Sequence, residues 1–315
     1  MIKNITSSVT VLVVLTLSIL GILMNTSVLS TIQTHTLETL LIVCGISIVY
    51  CYIVGELSNN NSQMDKVWSI LPVIYAWIIV YHNPIFDLRL LVMAILISFW
   101  GIRLTYNFAK KGAYSLKFWS GEEDYRWQVL REHRFLNKKW KWMLFDLLFI
   151  SMYQNILVLL ITLPMLVSME SNVEFHWLDG IVSFILFGFI VFETIADKQQ
   201  MDFQTKKYDQ LKKGVALNAL PKPYDKGFIS YGLWGRSRHP NYFAEQSIWV
   251  VIYVFSVLAT GSVFNWTLVG SMFLILLFMG SSSFSENISL SKYPEYQDYI
   301  HKVSKYVPFK KYQGS

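Results

Sequence analysis

Apolar runs with almost no Lys, Arg, Asp or Glu recur along the chain at about 9–30, 37–55, 67–82, 88–109, 143–168, 178–196, 246–261 and 263–283. A helix needs roughly 20 apolar residues to cross the ~30 Å hydrocarbon core of a bilayer, and most of these runs have that length. They lack the alternation of barrel strands, and only a helix satisfies its own backbone N–H and C=O groups in lipid without closing a barrel. The pattern therefore predicts an all-α, polytopic transmembrane helical bundle of about eight spans, with the third and seventh the shortest. The first run follows Lys3. Its length, and the seven runs behind it, favour a retained helix over a cleaved leader. Residues 1–36 then read as an extra N-terminal transmembrane helix ahead of one membrane domain over 37–315.

Charge sets the expected orientation. Of the 27 Lys and Arg, nine fall between Lys110 and Lys141, nine between Lys198 and Arg238, and five from Lys292 onward. Short loops rich in Lys and Arg stay on the cytoplasmic side, so these three segments and both termini are expected there. The hairpin loops Met169–Trp177 and Thr260–Phe264 contain neither residue, as outer loops should, and Arg89 is the exception. The net charge of +6 thus records topology, and no nucleic-acid partner is expected.

At 53% hydrophobic and 15% charged, the chain has too little polar side chain to clothe a soluble globule, whose charged fraction is about 25%. A soluble doubly wound enzyme, a disulfide scaffold and a disordered tail are excluded. Cys44 and Cys51 share one apolar run, and the six histidines show no ligand spacing, so no metal is expected. No G-x-G-x-x-G or G-x-x-x-x-G-K-[ST] occurs, so a dinucleotide would not be held in the Rossmann or P-loop manner.

The densest chemistry lies in Tyr231-Gly-Leu-Trp-Gly-Arg-Ser-Arg-His-Pro-Asn-Tyr-Phe-Ala-Glu245, where a basic loop enters the seventh span. Pro240 suits a first helical turn, and Asn241 and Glu245 share a face that Tyr242 flanks. Arg236, Arg238 and His239 precede that helix start, where guanidinium groups and free backbone N–H groups suit a phosphate. The competing reading is a juxtamembrane anchor with Trp234 and Tyr242 in an aromatic belt. A second constellation ends the sixth span: Glu193 and Asp197 stack four apart with Gln200 one turn on, and the Arg238 region is their nearest cationic supply if spans six and seven adjoin. Asp65 and Arg103 are further candidates, since an ionisable group inside a span faces a partner or cavity; Asp65 equally suits a helix N-cap. Glu123-Asp-Tyr-Arg126-Trp127 reads as a charged aromatic loop, and Tyr293, Tyr296 and Tyr299 as a packing stripe.

Taken together, Glu193-x-x-Ala-Asp197-x-Gln199, Gly232-Leu-Trp with Arg238-His-Pro-Asn-Tyr-Phe-x-Glu245, and Glu123-Asp-x-Arg126-Trp127 resemble the steroid 5-alpha-reductase superfamily of membrane reductases, in particular a bacterial branch. The likeness runs from about residue 40 to the C-terminus. It implies NADPH entering among the helices from the cytoplasmic side and hydride delivery to an activated C=C bond of an apolar, steroid- or lipid-like substrate taken from the bilayer. Carried over by position, Glu193, Asp197, Arg236, Arg238, His239, Asn241, Tyr242 and Glu245 would bind the cofactor. Hydride addition to an enone builds charge on the carbonyl oxygen, so a positioned donor is needed; Asp65, Arg103 and Tyr106 are the catalytic candidates. Two departures stand out: Ala244 replaces the usual Gly, and Trp100 stands roughly where the steroid reductases place a catalytic Tyr. The bacterial branch suggests a plasma membrane. The same Arg-His-Pro-x-Tyr pattern resembles the isoprenylcysteine-type methyltransferases, so an S-adenosylmethionine-dependent membrane methyltransferase is the alternative, and a lipid-binding or transport scaffold the non-enzymatic one.

Overall fold

The structure, a computed structural model, describes residues 29–309. The expected first span, at about 9–30, lies almost wholly outside the described residues, while residues 31–36 of the expected N-terminal domain belong to the first described helix. Within them, seven helices or helix pairs are long and apolar enough to cross a membrane, and they correspond one for one to the remaining seven runs. The protein is an integral membrane helical bundle. Its helices are α1 (Thr31–Ser58), α2 (Gln63–Trp68), α3 (Leu71–His82), α4 (Leu88–Lys110), α5 (Tyr125–Glu132), α6 (Lys139–Phe145), α7 (Gln154–Val167), α8 (Trp177–Lys212), α9 (Pro240–Thr260), α10 (Leu268–Lys292) and α11 (Tyr296–Lys302). A π-helical segment, Asp146–Tyr153, joins α6 to α7 in one span.

Local chemistry sets the helix ends. Ser30 and Gln33 form a reciprocal capping box on α1, each accepting a backbone N–H at 3.1 Å, and Asn59 closes the helix in the left-handed conformation at φ 52°. Asp87 caps α4 by accepting from the amides of Arg89 and Leu90 at 2.7 and 3.2 Å. The expected third span is interrupted between α2 and α3, around Ser69 and Ile70, with Pro72 in the first turn of α3 where its missing N–H costs nothing. The sixth span, expected to end at 196, continues to Lys212; at 1.5 Å per residue α8 is roughly 54 Å long and overruns a ~30 Å core.

Two compact units divide the described residues: those up to Phe184 with Trp249–Leu274, and Ile185–Ile248 with those from Ile275 onward. In the first, α7 is the central element, buried from Gln154 through Leu166 and packed by α1 and α3. The face α1 turns inward carries Leu37, Leu40, Cys44, Ser47, Cys51 and Gly55, whereas Ile42, Ile46, Val49 and Ile53 are exposed at helical spacing, as on a lipid-facing stripe. Small residues let backbones touch. A Cβ on Gly270 of α10 would stand 2.5 Å from the carbonyl oxygen of Leu160, so only glycine permits that approach. Trp100 packs edge-on against Trp249 at 5.0 Å and 83°, both sealed.

One end of this unit is closed by Arg89. Its guanidinium is fully buried, donates to both oxygens of Asp179, and also reaches the carbonyls of Val173 and Glu174. At the other end the loop after α4 is laced to the segment between α1 and α2. Lys66, 0% exposed, donates to the carbonyls of Phe118 and Ser120 at 2.9 Å each, and Gln63 donates to that of Trp119. Glu123 accepts from the Asn61 amide and from Arg131, both at 2.7 Å, and Asn61 in turn donates to Asp146 at 2.8 Å. The Glu123–Trp127 segment, read as a loop, is thus packed, and Trp127 is buried.

The second unit holds the long extension of α8 and the chain around α11. Phe228, Tyr296, Tyr299 and Val303 form one buried cluster with Tyr293 against it, so the tyrosine stripe is a packing face. Phe203, Ile229 and Trp234 form another.

Candidate functional site

The site belongs to the second unit and is assembled from α8, the loop before α9, and the first turns of α9. Glu193, Asp197, Gln200 and Gln204 follow one another at intervals of four, three and four along α8, which places them on one helical face. The loop is fastened beside them. Gln199 accepts from the Leu233 amide at 2.9 Å, and Trp234 Nε1 donates to the carbonyl of Ala196 at 2.9 Å. Gly232 makes this fit: at φ 61° it takes the left-handed conformation, and a Cβ there would stand 2.5 Å from Gln199 Oε1. Gly-Leu-Trp and Gln199 are therefore one structural device.

Past the loop, Asn241 Nδ2 donates to Asp197 Oδ1 at 3.2 Å. The Arg238 region was the expected cationic supply for Asp197, but the Arg238 side chain is bonded to other groups. Its Nε donates to Glu286 Oε1 at 2.7 Å, and its Nη1 to the carbonyls of Ile300 and Val303 at 2.8 and 2.6 Å, leaving the side chain 11% exposed. His239 Nε2 meets the same Glu286 oxygen at 3.0 Å, and its ring stacks on Tyr242 at 5.2 Å and 11°. Arg238 and His239 are thus not open ligands at the start of α9: Nε and Nη1 of the guanidinium are taken by a carboxylate and two carbonyls, and the His239 ring by the same carboxylate. Only Arg236 of the three basic side chains is exposed.

Main-chain pairing holds this motif in place. Ser237 pairs in parallel with Ser304, and the amides of Arg238 and His239 donate to the carbonyls of Ser304 and Lys305 at 2.9 and 3.1 Å. Burial pushes the His239 imidazole below its ordinary value of 6.5, while the hydrogen bond and charge of Glu286 pull the other way. Glu193 and Glu245 are both 4% exposed, and Ala244 beside Glu245 is sealed. Three acceptor oxygens, Asn241 Oδ1, Gln200 Oε1 and Gln204 Oε1, are buried and meet no hydrogen-bond donor among the described residues.

The three catalytic candidates lie in the first unit. Asp65 sits in the first turn of α2 and accepts from Trp127 Nε1 at 2.8 Å, so it does not serve as an N-cap. Arg103 is half-buried on α4. Tyr106 is 58% exposed, with the Lys110 ammonium 4.5 Å from its ring centre, which takes it out of a buried oxyanion-stabilising role. Glu286 is the residue that sequence reading missed. It stands on α10, 48 positions from Arg238, and no local pattern connects the two.

The fold defines a polytopic helical membrane protein whose site gathers carboxylates, amides and a histidine around two helices. Residues 51–303 match the family described as "Protein of unknown function (DUF1295)", and the chain belongs to that family. It is also 34% identical over 262 residues, 80% of this chain and 73% of the relative, to an uncharacterised protein of Schizosaccharomyces pombe. No solved structure matches.

Proposed function

We propose that the protein is an NADPH-dependent membrane oxidoreductase that reduces an activated C=C bond of an apolar, steroid- or lipid-like substrate. The observation that carries this reading is the set of buried acceptors in the second unit, Asn241 Oδ1, Gln200 Oε1 and Gln204 Oε1, which have no donor among the described residues. A buried polar atom without a partner costs about 1–3 kcal/mol, so these positions suit a ligand that brings O–H and N–H donors. NADPH carries such donors in its ribose hydroxyls, carboxamide and adenine amino group, and the residues fit it in that respect. Its phosphates require cations, for which the exposed Arg236 and Lys198 are available. The motif resemblance described above points the same way.

When bound, the nicotinamide supplies the hydride. The chain contributes orientation: Asn241, held by Asp197, and Gln200 present acceptors of defined direction, and the Gln199–Leu233 and Trp234–Ala196 bonds keep the loop against α8. The apolar helix faces suit a substrate delivered through the bilayer.

The test is a titration of detergent-solubilised protein with NADPH, followed by its fluorescence, with S-adenosylmethionine as competitor. Saturable NADPH binding untouched by S-adenosylmethionine supports the reductase; binding of S-adenosylmethionine alone assigns the same cradle to a methyl donor and overturns it.

A further inference from the structure

Glu286 gathers two donors on one oxygen. Arg238 Nε reaches Oε1 at 2.7 Å and His239 Nε2 reaches it at 3.0 Å. An ionised carboxylate paired with a guanidinium only accepts, so the proton in the second contact sits on His239 Nε2. The imidazole has little freedom to turn over. Tyr242 stacks on its face at 5.2 Å, the Tyr306 ring lies at 6.1 Å and 47°, and Tyr306 is itself anchored through its hydroxyl to Ser282 at 2.6 Å and to the carbonyl of Phe278 at 3.1 Å. Behind the ring, the His239 amide is bonded to Lys305.

The groups around the imidazole set its charge. Burial favours the neutral ring, Glu286 opposes this, and the cations Lys305 and Arg238 add to the effect of burial. A neutral ring with its proton on Nε2 carries its lone pair on Nδ1. Two residues along the chain, Asn241 presents a buried acceptor of its own.

We propose that Glu286 is the positioning residue of His239: by taking the Nε2 proton it fixes the tautomer and makes Nδ1 a hydrogen-bond acceptor for an O–H or N–H of the bound ligand. The ligand half rests on the cofactor reading above; the tautomer half does not. Glu286 acts through His239 and is not itself assigned a contact with ligand. The same oxygen accepts from Arg238, whose Nη1 donates to the carbonyls of Ile300 and Val303, so the histidine and the attachment of that chain are linked through the Glu286–Arg238 pair.

The experiment is nitrogen NMR of full-length protein in lipid nanodiscs with 15N-labelled histidine, His239 being identified by its loss in His239→Asn. Ligand-free wild type is expected to show protonated Nε2 and bare Nδ1. Glu286→Gln, whose amide oxygen still accepts, is expected to keep this tautomer but titrate at lower pH, because the charge that favoured the imidazolium is gone. Glu286→Ala is expected to show both tautomers. A wild-type ring protonated on Nδ1, or identical tautomers and midpoints in wild type and both variants, overturns the proposal. These spectra need no cofactor, so they stand apart from the binding test of the preceding subsection. With NADPH bound to saturation, the Nδ1 resonance is expected to move; an unmoved resonance overturns the ligand half.

Discussion

Arg89 and Asp179 meet as a bidentate ion pair, Nε to Oδ1 at 2.6 Å and Nη2 to Oδ2 at 3.1 Å, with both side chains fully buried. The pair accounts for the one arginine that departs from the charge asymmetry of the loops. Neutralised by Asp179 and bonded to two carbonyls, Arg89 acts as an internal strut. Removing one partner strands the other charge, so Arg89→Ala is expected to destabilise by about 3–5 kcal/mol, whereas Arg89→Met with Asp179→Leu costs much less. Thermal unfolding in one detergent compares them; an Arg89→Ala protein that melts with wild type refutes the strut.

Two glycines of α10 provide a matched pair. Gly270 faces the Leu160 carbonyl, where a Cβ would stand at 2.5 Å, and Gly280 has nothing within 4 Å. Gly270→Ala is expected to cost about 1–3 kcal/mol through forced backbone movement. Gly280→Ala should be neutral or stabilising by up to about 1 kcal/mol, since alanine favours the helix. Equal unfolding temperatures for the two variants would contradict the close α7–α10 approach.

How much of this was legible beforehand depended on the range of the interaction. The seven described spans follow from local hydropathy, and Asn241 with Glu245, and Glu193 with Asp197 and Gln200, could be singled out because their spacing is helical, whereas Gln199 stood out only through the family resemblance. Arg238 was misread because its partners are Glu286 and the carbonyls of Ile300 and Val303, 48 to 65 positions away, and a carbonyl leaves no trace in side-chain pattern. Lys66 is the same case, sealed by loop carbonyls. Arg89 did leave a signal, as the lone basic residue at its end, and Asp179 beside an outer loop was the partner to look for. Tyr106 failed for another reason: position in the chain does not say which face of α4 turns outward.

Stability should depend on pH through His239. Its folded value lies below the ordinary 6.5, so as pH falls the unfolded chain takes up the proton first. The stability it contributes is complete above about pH 6.5 and declines as pH drops from there toward the folded value. Unfolding temperatures measured from about pH 8 to about pH 5 should fall through that window, with a shallower fall in His239→Asn. Parallel curves for the two proteins would remove His239 as the source.

Asp124 titrates with the opposite ordinary charge but the same sign of slope. Burial works against its carboxylate, yet Arg126, through its charge, side chain and backbone N–H, and then Lys111, hold it below the usual 3.8. Its contribution is present above about pH 3.8 and is lost as pH falls through the folded value. Asp124 also caps α5 by accepting from the Arg126 amide at 2.9 Å. Asp124→Ala should therefore weaken α5 by about 1 kcal/mol at neutral pH. Faster hydrogen exchange across 125–132 is the expected readout, and unchanged exchange would deny the cap.

The central claim, that the acceptor face of α8 and α9 holds a reduced dinucleotide, is tested most directly by NADPH affinity in wild type, Asn241→Ala and Gln200→Leu. Saturable binding by wild type, weakened about tenfold or more in Asn241→Ala and measurably in Gln200→Leu with unfolding temperatures preserved, is the predicted result; a tenfold loss corresponds to about 1.4 kcal/mol, the scale of one buried hydrogen bond. Wild-type protein that does not bind NADPH, or binding identical in all three, would contradict it.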